Sequence, residues 1–366
     1  MSETRTLAEF TTFRVGGPAA DLTEATTREE LLDFCRAHPL HIGHEGASAH
    51  SAHAVLFVGG GSNLLVSDAG FAGSVCAVRT RGIETRDLAG GEVLVTAEAG
   101  ENWDEFVASC VAEGLAGLEP LSGIPGTVGS TPVQNVGAYG TEVAETIESV
   151  LVHDRFSGDE LVLGARELEF AYRTSRLKRT AHEFGTVRFV VIAVRFRLRR
   201  SELSTPVRYA QLAQALDVDL GARVPLSRVR REVLALRASK GMVLDEDDHD
   251  TWSAGSFFTN PILPKDFVLP EGAPTYPVHD AITGARDGGV QKTSAAWLID
   301  HAGFDKGFGV GAKRATLSTK HTLALTNRGS ANCEDVLELA RHIRDGVRSA
   351  FGITLVPEPD FIGVSL

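Results

Sequence analysis

The chain of 366 residues is poor in cysteine and has no long apolar run. Its four cysteines lack the spacing of a disulfide framework or a zinc site. No stretch reaches the roughly 18 consecutive apolar residues of a membrane span. The first residues, Met1–Arg5, lack the basic-then-apolar pattern of a secretory signal. These absences predict a protein of the reducing cytoplasm that does not insert into a membrane.

Positive charge is also scarce. The 36 lysines and arginines are outnumbered by 48 aspartates and glutamates, which gives a net charge of −12. This excess disfavours general binding of nucleic acids, so an anionic ligand would need a locally basic pocket. The hydrophobic fraction of 43% is ordinary for a globular protein, and the length predicts two or three domains.

Short strands and helices interleave without the regular repeat of a doubly wound sheet, which predicts an α+β fold. The apolar spacing predicts strands over 54–58, 93–97 and 187–198, the last with one solvated face. Capping and stop residues predict helices over 28–38, 103–113, 229–240, 294–301 and 333–351. The last helix carries one apolar stripe from Val336 to Ala350. The chain becomes polar near Ser201, where we place a domain boundary.

Histidine is concentrated in one stretch, His38–His53, which holds five of the twelve histidines. A metal site is one interpretation. No carboxylate or cysteine pattern accompanies these histidines, so a solvated loop insertion is favoured and no metal site is predicted. A short acidic loop, Asp245–Asp250, has no assigned role.

Two segments are rich in glycine. Gly59–Asn63 follows a predicted strand, and its glycines allow either an anion-binding nest or a tight turn. It does not have the spacing of a dinucleotide-binding fingerprint. The longer segment, Ser122–Gly140, is almost uncharged, which suits a backbone wrapped around a planar or phosphorylated ligand. In it the amides of Gln134 and Asn135 offer directional hydrogen bonds, although a linker is the alternative.

Three further islands carry candidate catalytic groups: an arginine in Phe170–Arg173, a hydroxyl in Ala254–Pro261 and a carboxylate in Val356–Phe361. In the third, two prolines flank Glu358 and restrict its backbone. Each island also has a plain interpretation: a surface ion pair, a turn and an exposed tail.

These islands in this order, together with Ser294–Ile299, resemble the family of UDP-N-acetylenolpyruvoylglucosamine reductases over about 11–363. The resemblance implies an FAD-binding fold of the vanillyl-alcohol oxidase (PCMH) type plus a smaller α+β substrate-binding domain. The implied domains are 1–200 for FAD, with subdomains of about 1–70 and 71–200, then 201–356 for substrate. A closing segment, 357–366, would return to the flavin site.

The resemblance implies an oxidoreductase of peptidoglycan synthesis. Non-covalent FAD and NADPH would reduce UDP-N-acetylglucosamine enolpyruvate to UDP-N-acetylmuramate, with hydride passing from flavin N5 to C3 and a proton to C2. A cytoplasmic monomer is expected, with no metal and no nucleic acid. Two alternatives stay open: an oxidase of alcohols or lactones on the same fold, and a flavin- or nucleotide-sugar-binding regulator without catalysis.

The implied catalytic residues are Arg173, Ser256 and Glu358. Arg173 would spread charge over the substrate carboxylate, and Ser256 would give the proton to C2. An ionised Glu358 would repel that carboxylate, so our hypothesis is that a protonated Glu358 donates a hydrogen bond.

The remaining site residues are also implied by the resemblance. The implied FAD contacts are Gly59, Gly60, Gly61, Ser62, Asn63, Ser122, Gly126, Ser130, Gln134, Asn135, Gly137, Ala138 and Arg237. The implied substrate contacts are Tyr209, Lys240, Asn260 and His321. The position of Tyr209 indicates the long form of the family, in which an inserted tyrosine covers the diphosphate. One departure is Asp360, where many relatives have arginine.

Overall fold

The computed structural model describes residues 5–40, 54–279 and 286–366. Most of the histidine-rich stretch, 41–53, lies outside the described residues. The chain folds into two compact units. The sheet unit consists of Asp21–Gly60 and Ala72–Ala238, and the C-terminal unit consists of Met1–Ala20, Gly61–Phe71 and Ser239–Leu366. The division thus falls after Ala238, whereas we placed a boundary near Ser201, and the domain limits stay a proposal.

The first and last helices begin at their predicted capping residues, whereas the helix predicted over 229–240 spans Leu226–Ala238. Thr27 and Glu30 form a capping box at the first helix, and Asn332 and Asp335 form one at the last. Gly352 ends the last helix in the left-handed conformation, with φ 69°. The helices in the described residues are α1 (Arg28–Ala37), α2 (Trp103–Ala112), α3 (Arg176–Phe184), α4 (Ala210–Leu216), α5 (Leu226–Ala238), α6 (Ala295–His301) and α7 (Cys333–Phe351). None of them combines the length and apolar composition that a membrane span needs.

The strands are short, apart from one of twelve residues. They are β1 (Ala19–Ala25), β2 (Val55–Val58), β3 (Leu64–Val66), β4 (Phe71–Val78), β5 (Ile83–Asp87), β6 (Glu92–Glu98), β7 (Leu115–Ala116), β8 (Gly137–Ala138), β9 (Thr141–Glu142), β10 (Ile147–Asp154), β11 (Glu160–Gly164), β12 (Phe189–Arg200), β13 (Ile262–Pro264), β14 (Thr275–His279), β15 (Arg286–Thr293), β16 (Ala315–Leu317), β17 (Leu325–Asn327) and β18 (Asp360–Ile362). With the helices, they give the predicted mixture of helix and strand.

The sheet unit is organised by an antiparallel sheet in the order β11-β10-β12-β6-β5, with β7 also paired to β12. The strands β1, β4 and β2 form a smaller sheet, in which β2 and β4 run parallel. The long strand β12 differs from its prediction. Its first six residues are buried on both faces, and only its last part alternates with solvent.

The C-terminal unit is built around α7. Val336, Leu339, Ala340 and Ile343 of the predicted stripe are fully buried, but Ala350 is exposed because the stripe ends one turn earlier, at Val347. The core also holds side chains from other parts of this unit, namely Phe13, Leu65, Phe257, Leu298 and Leu317. The tail is not a free Pro-rich segment, because β18 pairs in parallel with β3.

Candidate active site

In the sheet unit, Arg173 lies at the tip of a tight turn. Ala171 and Thr174 exchange backbone hydrogen bonds of 3.0 and 3.2 Å and close the turn. Arg173 itself has a φ of 55°, which is unfavourable for a residue with a Cβ. Its guanidinium donates to the carbonyl of Gly137 at 3.0 Å and reaches that of Asn135 at 3.5 Å. The structure therefore brings this predicted arginine to the longer glycine-rich segment.

Asn135 is fully buried, and its side chain is used inside the protein. The Nδ2 group donates to Glu142 at 2.7 Å and to the carbonyl of Ala171 at 3.2 Å, and Oδ1 accepts from the backbone of Ala144 at 3.2 Å. Its φ of 47° is also positive. The amide of Asn135 thus fixes the shape of the loop and the position of the arginine turn.

Other polar residues of this segment are likewise held by the protein. The Ser122 hydroxyl donates to the carbonyl of Glu119 at 2.7 Å, and the Ser130 hydroxyl donates to that of Thr127 at 2.6 Å. The Gln134 amide oxygen accepts from Lys178 at 3.3 Å. With these side chains turned to the protein, binding by this segment would fall largely to its backbone.

The two glycine-rich segments meet through their backbones in the sheet unit. A Cβ on Gly60 would lie 2.5 Å from the Cα of Gly126, and a Cβ on Gly59 would lie 2.5 Å from Oγ1 of Thr127. Only glycine fits such close approach. Gly61, Ser62 and Asn63 belong to the C-terminal unit, where a Cβ on Gly61 would collide with the carbonyl of Phe10.

A half-buried cation, Arg237, lies beside the longer glycine-rich segment. The side chain of Arg237 is 3.4 Å from the Cβ position of Gly123. Burial lowers the pKa of Arg237 to about 10, opposed by Tyr139 and Asp104, so the guanidinium stays positive at neutral pH. The closely packed glycine backbones fit the pyrophosphate of a dinucleotide such as FAD, and Arg237 adds a positive charge near the start of the longer segment.

Tyr209 is half-exposed and precedes α4. Its ring contacts that of Tyr139 edge-on, with centroids 5.6 Å apart. The predicted substrate tyrosine thus lies against the end of the longer glycine-rich segment in the sheet unit.

In the C-terminal unit, backbone bonds hold the segment that contains Ser256. The N–H of Phe257 donates to the carbonyl of Leu323 at 2.8 Å, and the carbonyl of Phe257 accepts from the N–H of Glu358 at 2.8 Å. Gly255 has a φ of 71°, and a Cβ there would meet open space. None of these bonds uses the Ser256 hydroxyl. The structure therefore brings Ser256 and Glu358 together through the residue between them.

The tail also joins Glu358 to the first glycine-rich segment. Asn63 donates from Nδ2 to the carbonyl of Glu358 at 3.3 Å, and its own carbonyl accepts from the N–H of Asp360 at 2.9 Å. The parallel pairing of β18 with β3 continues this contact. Asp360 is thus placed by its backbone, next to the segment that the sequence assigned to FAD.

The predicted substrate residues of the C-terminal unit are partly used by the fold. Asn260 accepts from the backbone N–H of Ala295 at 2.9 Å, which leaves its Nδ2 group for a ligand. Burial first, and then the charges of Lys240 and Lys306, lower the pKa of His321 to about 4, so this imidazole is neutral at pH 7. Lys306 was not found from the sequence, because no pattern surrounds it.

Comparisons with known proteins identify the family of the chain. The family model described as UDP-N-acetylenolpyruvoylglucosamine reductase, C-terminal domain, matches residues 247–362, and a model for an FAD binding domain matches residues 46–160. A protein of Thermobifida fusca named UDP-N-acetylenolpyruvoylglucosamine reductase is 49% identical, with 98% of this chain and 97% of that protein covered. One from Nocardia farcinica with the same name is 51% identical, covering 98% and 89%.

The chain belongs to the UDP-N-acetylenolpyruvoylglucosamine reductase family. The crystal structure of UDP-N-acetylenolpyruvylglucosamine reductase from Thermus caldophilus covers 98% of both chains, with a TM-score of 0.63 and 28% identity. Family membership confirms the predicted FAD-binding fold with an α+β substrate domain. It also confirms an oxidoreductase of peptidoglycan synthesis that acts on a CH–CH group and uses FAD and NADPH. The assignments of individual site residues stay predictions.

Proposed function

We propose that the chain catalyses the NADPH-dependent reduction of UDP-N-acetylglucosamine enolpyruvate to UDP-N-acetylmuramate. The observation that carries this proposal is the backbone link of Ser256 and Glu358 through Phe257. A proton donor and a carboxyl group are thereby held on neighbouring segments of the C-terminal unit. The two alternatives account less well for this pair. An oxidase of alcohols or lactones would not need a proton donor beside a carboxyl group, and a regulator without catalysis would not need a proton donor at all.

FAD, when bound, would supply the redox chemistry of this reduction, in which a hydride from NADPH would reach C3 of the enolpyruvyl group by way of flavin N5. Gly59 and Gly60 would hold the pyrophosphate of FAD through their backbones, whereas Gly126 would line the flavin and its ribityl chain and Arg237 would lie near the flavin. The further FAD residues that we propose are Gly61, Ser62, Asn63, Ser122, Ser130, Gln134, Asn135, Gly137 and Ala138. Of these, Asn135 acts by shaping the loop.

Arg173 would stabilise the negative charge that develops on the substrate carboxylate. A guanidinium presents planar, permanently charged donors, which match a carboxylate. The positive φ of this residue indicates that the turn, and not the local preference of the chain, fixes its direction.

Ser256 would deliver the proton to C2, since an alcohol is acidic enough towards a carbanion-like enolate. Such proton transfer typically contributes about 10²–10⁴ in rate. Glu358 would act as a neutral acid that donates a hydrogen bond, because an ionised carboxylate would repel the substrate's own.

The diphosphate of the nucleotide sugar would bind Lys240, Asn260 and His321, with Tyr209 covering it in the long form of the family. Lysine supplies a point charge, and neutral His321 can donate from one ring nitrogen. We further propose a cytoplasmic monomer, with domains at 1–200 and 201–356 and a returning tail at 357–366.

The decisive experiment is NADPH oxidation by the FAD-loaded protein, followed by absorbance, with and without UDP-N-acetylglucosamine enolpyruvate. We expect turnover that depends on the substrate, with UDP-N-acetylmuramate as the product. Oxidation of NADPH at the same rate without substrate would refute the proposal.

A further inference from the structure

The acidic loop Asp245–Asp250 turns one carboxylate inward. Asp250 is only 4% exposed. Its Oδ1 accepts from the backbone of Thr319 at 2.8 Å and from Arg328 at 2.9 Å, and its Oδ2 accepts from the Thr319 hydroxyl. Burial would raise the pKa of Asp250, but the hydrogen bonds from Thr319 and Ser318 and the charge of Arg328 lower it overall. Asp250 is therefore an ionised anchor inside the C-terminal unit.

A second carboxylate of the loop, that of Asp248, binds Lys320, the residue after Thr319. Asp248 pairs with Lys320, and its other oxygen accepts from the backbone of Asp250 at 3.0 Å. The Thr251 hydroxyl closes the loop by donating to the carbonyls of Asp245 and Asp248, at 2.8 Å each. Hydrogen bonds within the loop thus fix its shape, and its carboxylates bind the adjacent residues Thr319 and Lys320.

The turn that contains Thr319 and Lys320 also contains His321. The Ser318 hydroxyl accepts from the N–H groups of Lys320 and His321 at 3.0 and 3.2 Å, which fixes the turn between β16 and β17. On its other side, the backbone of Asp250 packs on Gly241, where a Cβ would lie 2.9 Å from the Asp250 carbonyl. Gly241 directly follows Lys240. Asp250 therefore contacts both the segment that contains Lys240 and the turn that contains His321, the two residues that we propose to bind the diphosphate.

We propose that Asp250 is a positioning residue that holds His321 beside Lys240 and thereby sets the affinity for the diphosphate of a nucleotide sugar. The proposal rests on the function proposed above for these two residues. Residues that orient the ligands of metal ions change affinity by about 10–100-fold when they are removed, and we take the lower end of that range for Asp250.

The sign of the effect separates positioning from simple electrostatics. Removing a negative charge from the neighbourhood of Lys240, Lys306 and His321 should strengthen binding of an anion if charge alone mattered. If Asp250 acts by positioning, its removal should weaken binding of the anion, because the turn with His321 is then no longer held in place.

The test measures binding of UDP to the FAD-loaded protein by calorimetry. For Asp250→Asn we expect a Kd about 10-fold higher and flavin content close to that of the parent, with a lower melting temperature because the partly buried ion pair with Arg328 is lost. Asp247→Asn is the matched control, because Asp247 is exposed on the same loop and its Kd should stay within about two-fold. Thr319→Val removes one donor to Asp250 and should weaken binding in the same direction but less.

The double variant with Lys240→Ala completes the test. If Asp250 acts through this cluster, Asp250→Asn should weaken binding much less in the Lys240→Ala background than in the parent. If Lys240→Ala alone leaves the Kd unchanged, the proposed diphosphate site fails and the inference fails with it. If Lys240→Ala weakens binding while Asp250→Asn leaves it equal or tighter, only the inference is overturned. Should Asp250→Asn not fold, Thr319→Val decides by the same criteria.

Discussion

The longer glycine-rich segment of the sheet unit and the Ser256 segment of the C-terminal unit are held in opposite ways. In the first, buried side chains hold the backbone, as Asn135 does with its hydrogen bonds to the backbones of Ala171 and Ala144. In the second, the backbone of Phe257 makes the holding contacts to Leu323 and Glu358. The difference fits the division that we propose, in which the first segment would present its backbone to FAD and the second would keep the Ser256 side chain for proton transfer.

The largest expected effect that tests this comparison is on Ser256. Ser256→Ala should keep reduction of the flavin by NADPH but lose roughly 10²-fold or more in reduction of the enolpyruvyl substrate. The backbone bonds of the segment do not use the hydroxyl, so the fold should be unaffected. Stopped-flow absorbance of the two half-reactions measures both rates. Equal losses in both half-reactions would mean that Ser256 is structural, like the polar residues of the other segment.

The next effect concerns Asn135. Asn135→Ala should lower the free energy of unfolding by about 2–3 kcal/mol, because the N–H of Ala144, the carbonyl of Ala171 and the carboxylate of Glu142 each lose a hydrogen bond to the fully buried amide. Ser130→Ala, which removes a partly buried hydroxyl, should cost only about 1 kcal/mol. Urea unfolding gives both values, and flavin absorbance gives FAD content. Unchanged stability of Asn135→Ala with loss of FAD would show that the amide binds the cofactor directly, which would break the comparison.

The buried imidazole of His321 makes stability depend on pH. Its pKa is about 4 in the folded protein, against 6.5 for an exposed histidine. Between these values the unfolded chain binds more protons than the folded one, so stability is present above pH 6.5 and is lost as the pH falls towards 4. From pH 8 to pH 5 this group should cost about 2 kcal/mol.

Urea unfolding of the parent and of His321→Gln at both pH values isolates this contribution. His153, whose pKa burial also lowers, is present in both proteins and cancels. A parent and a variant that lose the same stability would mean that His321 is solvated, contrary to its burial in the C-terminal unit.

Local features of the fold were predictable, and long-range ones were not. The capping boxes at Thr27 and Asn332 use residues three apart, so the helices begin where the sequence predicts. The contact between Asn63 and Glu358 spans 295 positions, and no local pattern encodes the pairing of β18 with β3. The candidate site residues were predicted from the resemblance of ordered islands, and they stay predictions. Some of these residues hold the backbone, as Asn135 does, and others are proposed to contact a ligand, as Ser256 is. This distinction depends on tertiary contacts that no local pattern of the sequence encodes.

The smallest effect on turnover is expected for Glu358→Gln. This variant tests whether the C-terminal unit supplies a neutral hydrogen-bond donor or a charge. The tail is placed by backbone contacts at Phe257 and Asn63, so a side chain of the same shape should not move it. If Glu358 works as a neutral hydrogen-bond donor, glutamine can replace it, and turnover should stay within a few-fold. Glu358→Ala, which removes the donor, should lower turnover by about 10-fold or more. Steady-state kinetics with the enolpyruvyl substrate separates the two variants. A glutamine enzyme as slow as the alanine enzyme would show that an ionisable carboxyl group is required, and the C-terminal unit would then supply a charge as well as a proton donor.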